Sequence, residues 1–336
     1  MLSIKDSDYE NVKEDLKSAL DEIGGLSSFI EKNQKVLLKP NLCNPVYGSV
    51  TDPRVIRAMI ELVKEITPNV YLGDLPASTE KNITFDVLQK TGIRDVLIQT
   101  KTPYINFTKT RFVVREIKDY KFFEKTDFAR AFFHVDAVIN MPKLKSHGIT
   151  YITGAVKNLF GLVHMGERKY LHGYENEKFC HGILDIYSFL KPKIKLNVMD
   201  AISIMEGDEG PVYGPMVNCG KIMAGDDAVE MDYAAAMLTG HDPMKLLVNK
   251  YAIERGLGKK ADVSITPVAF QPHSNYVKNN KLQPFIKSEC AKCGSCYNIC
   301  PANAIDKIND EYSINSNCIK CYCCLESCKY KAVGFQ

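Results

Sequence analysis

No run of apolar residues in this sequence approaches the length needed to cross a bilayer, and the N-terminus lacks a secretory pattern. A membrane partner is therefore not expected, and a cytoplasmic location is. No basic block is interleaved with aromatic residues, and a net charge of +3 over 336 residues is small. Nucleic acid is not an expected partner either. Neither G-x-G-x-x-G nor P-loop spacing occurs, which leaves nucleotide binding without a motif. Histidine is scarce, seven in all, with no pair at i, i+4. His147, His164, His172 and His181 are irregularly spaced, which suits hydrogen bonding better than a mononuclear metal site, though it leaves a further metal there open.

Cysteine is what the sequence has in excess, and nine of its twelve lie between Cys290 and Cys328. "CAKCGSCYNICP" spaces Cys290, Cys293, Cys296 and Cys300 as C-x2-C-x2-C-x3-C-P, and "CIKCYCCLESCK" repeats the spacing 28 positions later at Cys318, Cys321, Cys324 and Cys328. The tail is an internal duplication. Three thiolates two residues apart can wrap one face of a cubane, and in duplicated tails the fourth ligand comes from the other repeat. Cys290, Cys293, Cys296 and Cys328 are thus expected to hold one [4Fe–4S] cluster, and Cys318, Cys321, Cys324 and Cys300 a second. Zinc ribbons use separated pairs rather than triplets, and a disulfide scaffold needs an oxidising compartment. The tail closely resembles bacterial dicluster ferredoxins, with two departures: Lys329 stands where they usually carry proline, and Cys323 is an extra thiol beside Cys324. The expected division is a large domain over 1–280 and a ferredoxin-like α+β domain over 281–336.

In the large domain, "DYENVKEDLKSALDEI" spaces Val12, Leu16, Leu20 and Ile23 by about a helical turn, with Gly24 and Gly25 to stop it. Apolar, β-branched runs then end abruptly in polar residues: "KVLLKPN" at Lys39 and Asn41, "NVYLGD" at Asp74, "DAVINMPKLKSH" at Lys143 to His147, and "KLNVMDAISIMEG" at Asp200 and Glu206. Helical patterns alternate with these runs, which predicts an α/β fold with a mostly parallel sheet flanked by helices. Ligands of such sheets bind beyond the carboxyl ends of the strands.

Lys143, Lys145 and His147 raise a specific question. In an extended segment they share a face at roughly 7 Å intervals, where two full charges repel by about 2 kcal/mol at an effective dielectric near 20. The expectation is an anionic ligand, carboxylate or phosphate, facing this row. The next segment, "TGAVKNLFGLVHMGERKYLHG", adds Lys157 and Asn158. Lys39, Asn41, Asn158 and Glu206 are expected to bind the substrate, and Lys143, Lys145, His147, Lys157, Asp74 and Asp200 to act on it. Cys43 is the scattered thiol to watch, because it follows Lys39 and Asn41; Asp226 or Asp227 is a plausible helix cap.

The blocks "VLLKPN", "TDPRVIRAMIELV", "LGD", "INMPKLKSH", "TGAVKNLFG", "DAISIMEG" and "AGDDAVEMDYAA", in this order, resemble the domain of unknown function 362 family, whose members often carry a C-terminal dicluster ferredoxin. The resemblance covers residues 34–260 and the tail, and implies importance for Lys39, Asn41, Asp52, Asp74, Lys143, Lys145, His147, Lys157, Asn158, Asp200, Glu206 and Asp232. "AGDDAVE" departs from the family's common "AGxDPVA". A more distant similarity, of fold only, is to nickel-dependent lactate racemases. Three functions follow as alternatives. An iron–sulfur reductase would take electrons from an external low-potential ferredoxin or flavodoxin and pass them through the clusters to a small anion, with lysines binding it and His147 or a desolvated lysine supplying the proton. A non-catalytic electron-transfer or assembly subunit would leave the strand-end cations on an open surface. A non-redox isomerase or racemase would keep the clusters structural and turn over without reductant. A homodimer is the default assembly for such a fold.

Overall fold

The computed structural model describes residues 1–274 and 282–336. The boundary between 280 and 281 expected from the sequence lies outside the described residues. Nine strands form the central sheet: β1 (Leu2–Asp6), β2 (Val36–Pro40), β3 (Val70–Asp74), β4 (Tyr104–Asn106), β5 (Ala137–Met141), β6 (Lys143–His147), β7 (Tyr151–Thr153), β8 (Ile194–Met205) and β9 (Met216–Gly225). Their order is β1-β9-β8-β5-β2-β3-β4, with β6 beside the second half of β8 and β7 beyond it. The β8, β5, β2, β3 and β4 pairings are parallel; β1 and β9 add an antiparallel edge. The mostly parallel sheet is as expected, but β1 is too short and too mixed in sequence for its pattern to be read.

Helices cover both faces. Alternation along β2 sends Leu37 to one side and Val36 and Leu38 to the other, the pattern of a strand buried on two faces. On the Val36 side lie α1 (Val12–Glu22) and α2 (Pro53–Lys64). Pro53 opens α2 and the Asp52 carboxylate caps it by accepting from Arg54 N, a start that Pro and Asp favour at those positions. The Leu37 side holds α3 (Ala155–Asn158), α4 (Met165–Leu171), α5 (Asn176–Leu190) and α6 (Ala228–Leu238). Asp227 caps α6 through Val229 N and Glu230 N; Asp226 instead pairs with the N-terminal amine. Buried Asp232, reaching across from α6, accepts from Ala155 N and Val156 N and so caps α3. A Cβ on Gly154 would overlap that carboxylate, which explains the glycine in "TGAVKN" without chemistry.

In the cysteine-rich segment the duplication is visible as two five-residue helices, α7 (Ser295–Ile299) and α8 (Cys323–Ser327), with short antiparallel pairs joining Pro284–Ile286 to Val333–Phe335 and Ile305–Ile308 to Glu311–Ile314. This segment is seated on the strand ends. Asn44 Nδ2 donates to Glu326 O at 2.9 Å, Tyr213 Oη to Cys328 O at 2.6 Å, and Lys169 Nζ to Asn298 O at 3.0 Å. Lys329, the residue in place of proline, lies 2.5 Å from Glu80 and 2.6 Å from Asp86. It joins the two parts of the chain.

Candidate functional site

Beyond the carboxyl ends of β2 and β3, under the cysteine-rich segment, lies a chamber of ≈ 70 Å³. Lys39 and Asn41 follow from β2, Asp74 ends β3, and Lys157 and Asn158 close α3; all five line it. So do Arg168 and His172, at the end of α4, and Cys323 and Glu326 on α8. The chamber is thus composite, with walls from both parts of the chain.

Lys39 and Asp74 form a buried ion pair at 2.7 Å, and Lys39 Nζ also donates to Pro40 O. Burial pushes the Lys39 pKa down against the pull of Asp74. Behind them a chain of amides locks the strand ends: Asn41 donates to Asn158 Oδ1 at 3.0 Å, Asn158 to Asn140 Oδ1 at 2.8 Å, and Asn140 to Asn197 Oδ1 at 2.9 Å. Asn140 and Asn197 were not singled out, since one asparagine inside an apolar run carries no signal of a network. Gly161, the glycine of "KNLFG", packs against the ion pair: its Cβ would overlap Asp74 Oδ1 and lie 2.8 Å from Lys39 Nζ. Gly161→Ala is expected to cost about 1–3 kcal/mol by overpacking and to reduce ligand binding, read by thermal unfolding and calorimetry of the anaerobic protein.

Three donors and acceptors at the chamber lack partners among the described residues. Lys157 makes no hydrogen bond or ion pair, and burial pushes its pKa down. Arg168 gives Nη2 to Leu75 O at 3.0 Å and Pro76 O at 3.3 Å, leaving Nε buried without an acceptor. Burial lowers its pKa to about 10. His172 shares Nδ1 with Arg168 O at 2.6 Å, which places the proton on Nδ1 and leaves a lone pair on the unpartnered Nε2. Its pKa is lowered to about 4, by burial first.

The cationic row does not face the chamber. Lys143 Nζ lies 2.8 Å from Asp200, its register partner on β8, and donates to Tyr9 Oη. Lys145 donates to Ser49 O at 2.6 Å, Asn41 Oδ1 at 3.1 Å and Cys43 Sγ at 3.1 Å. His147 Nδ1 accepts from Ile149 N and Thr150 N, so its proton is on Nε2, 2.9 Å from Glu326 Oε1. The repulsion expected along the row is met by three separate internal partners, one of them from the cysteine-rich segment. Glu206 also lies off the chamber and accepts from Gln271 N at 2.6 Å. Of the expected site residues the structure gathers Lys39, Asn41, Asp74, Lys157 and Asn158 directly, sets Lys145 and His147 one layer behind, and places Lys143, Asp200 and Glu206 elsewhere. His164 caps α4 and His181 stacks on Tyr251, so the four histidines do not converge. Among the described residues no three His, Cys, Asp or Glu side chains are grouped to hold a single metal ion.

Burial and nearby Lys157 lower the His147 pKa to about 3. Glu326 is held below the usual carboxylate range: burial would raise it, but Lys157, His147 and His172 outweigh that. The two imidazoles are therefore neutral when folded and titrate near 6.5 when unfolded. Their folded values are depressed, so stability is complete above pH 6.5 and is lost as pH falls, by up to about 1.4 kcal/mol per pH unit for each. The thermal midpoint of the anaerobic protein should fall between pH 6.5 and 5, and His147→Asn should flatten that slope by about half.

Two further cavities lie within the cysteine-rich segment. One is lined by Cys290, Cys293, Cys296 and Cys328, the other by Cys300, Cys318, Cys321 and Cys324, the two crossed sets that the duplication implies. Backbone N–H groups approach the ligand sulfurs in both, Ala304 N to Cys300 at 3.2 Å and Ala332 N to Cys328 at 3.4 Å, as suits thiolate ligands. The residues fit iron–sulfur binding. Cys323 lines both the second cysteine cavity and the strand-end chamber.

Sheet, strand-end chamber and cysteine cavities together define an iron–sulfur-binding α/β protein. Residues 36–237 match the family described as a domain of unknown function, DUF362, and residues 284–306 match the 4Fe-4S binding domain. The protein belongs to the DUF362 family. It is 28% identical over 273 residues, 80% of this chain and 82% of the relative, to a thylakoid-associated protein of Synechocystis sp.. Among solved structures it is similar to the lactate racemase apoprotein from Thermoanaerobacterium thermosaccharolyticum, at 15% identity and TM-score 0.44 over 71% of this chain and 57% of that one. A Thermotoga maritima protein is similar at 14% identity and TM-score 0.36, over 65% and 55%. The chain spans little more than half the length of these two structures. No helix among the described residues is long and apolar enough to cross a membrane.

Proposed function

We propose that the protein is a cytoplasmic iron–sulfur oxidoreductase that passes low-potential electrons through two [4Fe–4S] clusters to a small reducible organic substrate held in the chamber by its carboxylate or phosphate group. The observation that carries this reading is the single side chain, Cys323, between the second cysteine cavity and the chamber. Cys290, Cys293, Cys296 and Cys328 would hold one cluster, and Cys318, Cys321, Cys324 and Cys300 the other. When bound, clusters of this type supply single electrons, at about −400 mV in plant-type ferredoxins, and an external ferredoxin or flavodoxin would replenish them.

The chain's own residues supply the rest. Arg168 Nε, buried without a partner, and Lys157 Nζ, half-buried at the wall with no hydrogen bond or ion pair among the described residues, take the anion. Lys157 then gives the proton, since burial weakens its hold on it. His147 is unsuited to that role, being neutral and turned toward Glu326. Lys39 with Asp74, and Lys145 with Asn41 and Cys43, fix the wall. The seated position of the cysteine-rich segment covers part of the chamber, and a lower local dielectric there strengthens each of these interactions. A partner-binding subunit would present its cations openly, whereas Lys39 and Lys145 are 1% exposed, Arg168 9% and Lys157 is half-buried.

Native mass spectrometry of protein purified without oxygen tests the reading. The expected mass is the chain plus two [4Fe–4S] clusters plus a small anion released by Lys157→Met. One cluster, or two with no anion retained or taken up, would contradict it.

A further inference from the structure

Two side chains of α4 reach the chamber with opposite needs. Arg168 and His172, the residue that caps the helix at its C-terminal end, are one turn apart and share a face of it. Both line the chamber, and both are more than nine-tenths buried. The Nη2 bonds to Leu75 O and Pro76 O fix the Arg168 guanidinium and leave its Nε–H without an acceptor among the described residues. His172 is held as firmly. Its Nδ1 lies 2.6 Å from Arg168 O, and its ring packs against Phe160, stacked at 5.7 Å, and Phe179, edge-on at 4.7 Å. A carbonyl oxygen only accepts, so the proton is on Nδ1, and Nε2 across the ring is a lone pair that no described residue meets. Burial against these aromatic rings keeps a second proton off it, with the pKa lowered to about 4.

A buried polar atom left unpaired is costly, and one group cannot relieve a donor and an acceptor alike. The anion of the proposed function meets Arg168 Nε but not His172. Carboxylate and fully ionised phosphate oxygens only accept, as Nε2 does, so the two would repel. A ligand that satisfies both residues carries a donor beside its anionic group. An ammonium in that place would stand next to Lys157 and Arg168, which repel it. A hydroxyl donates without bringing a positive charge.

We propose that the chamber takes a small anion bearing a hydroxyl beside its carboxylate or phosphate-like group, with Arg168 Nε donating to the anion and His172 Nε2 accepting from the hydroxyl. This deepens the proposed function and rests on its reading of the chamber as the substrate site. His172 is then the residue that sets specificity. It selects against an anion that has no hydroxyl, or that carries in its place a group of similar size unable to donate.

Anaerobic titration calorimetry of the cluster-loaded protein, with two matched pairs of probes, tests the hydroxyl. Glycolate and acetate differ in it, as do hydroxymethylphosphonate and methylphosphonate; fluoroacetate and fluoromethylphosphonate replace it by an atom of similar size that cannot donate. At least fivefold tighter binding of the hydroxyl-bearing member is expected in one pair, and which pair shows it tells carboxylate from phosphate-like ligands. The fluorinated counterpart should bind no better than the unsubstituted anion. His172→Phe keeps a ring against Phe160 and Phe179 but removes the acceptor, so the preference should be lost; Arg168→Lys should weaken both members of the preferred pair alike. A preference below fivefold in both pairs, no binding by any probe, a fluorinated probe that matches the preferred hydroxyl, or a preference that survives His172→Phe overturns the proposal. Should His172→Phe not fold, the hydroxyl and fluorine probes on the unaltered protein decide it. If the hydroxyl is preferred as expected but no reducible anion reoxidises the reduced clusters, the reductase reading fails and the ligand class stands. If an anion without a hydroxyl reoxidises them while the members of each pair bind alike, the ligand class fails and the reductase reading stands.

Discussion

Replacing Asp200 with alanine is expected to destabilise the protein by about 3–5 kcal/mol, the cost of leaving one partner of a buried ion pair uncompensated. Lys143 is 1% exposed and Asp200 0%. The carboxylate also accepts from Asp52 N at 2.9 Å and from Tyr9 Oη at 3.1 Å, and Tyr9 in turn accepts from Lys143. The substitution therefore strands an ammonium, a phenol and a backbone N–H together. Thermal unfolding of the anaerobic protein should show a midpoint lower by about 4–7 °C for a chain of this size. The double substitution Lys143→Met with Asp200→Leu should regain most of the loss, because apolar replacements of a buried pair are often tolerated. An unchanged midpoint in Asp200→Ala would mean that Lys143 finds another partner, and that the pair is not what holds β6 against β8.

Lys157→Met should act on turnover instead. Its ammonium makes no hydrogen bond or ion pair to strand, though its field helps hold Glu326 ionised, so the thermal midpoint should fall by less than in Asp200→Ala. Loss of the proton donor should slow substrate reduction by about 10²–10⁴-fold, with the cluster spectrum unchanged. Two lysines read in the sequence as members of one set are thus expected to separate, one acting on stability and one on turnover. Lys157→Arg keeps the charge but holds its proton more tightly. It should recover anion binding without recovering the rate, which distinguishes proton transfer from charge alone.

The two lysines also mark what sequence could and could not convey. Period and spacing sufficed for β2, β3, β5, β6 and β8, because strand burial imposes a short repeat, and cysteine spacing sufficed to mark the tail as iron–sulfur-binding. The partners of the cationic row were not legible. Asp200 was seen as a strand end, but only the β8 register places it opposite Lys143. Tyr9 meets the pair across 134 residues of chain with no local pattern to mark it. Glu326 lay in view between Cys324 and Cys328, yet its position inside a ligand motif drew attention to the cysteines. Arg168 carries no local signal in a stretch already rich in Lys and His; its burial is what makes the free Nε significant. Cys323 was noted as a surplus thiol; that it forms a wall between two cavities is a fact of docking.

On the proposed function, electrons held by the cysteine-rich segment cross to a substrate anion beyond Cys323. Stopped-flow reoxidation of the fully reduced protein, followed at the cluster absorbance without oxygen and across a panel of small mono- and dianions, tests it most directly. One class of reducible anion is expected to reoxidise both clusters in a single turnover, and Lys157→Met to slow this by about 10²–10⁴-fold while itself being reduced normally. Reoxidation by no anion in the panel, or reoxidation that is indifferent to Lys157, would contradict it.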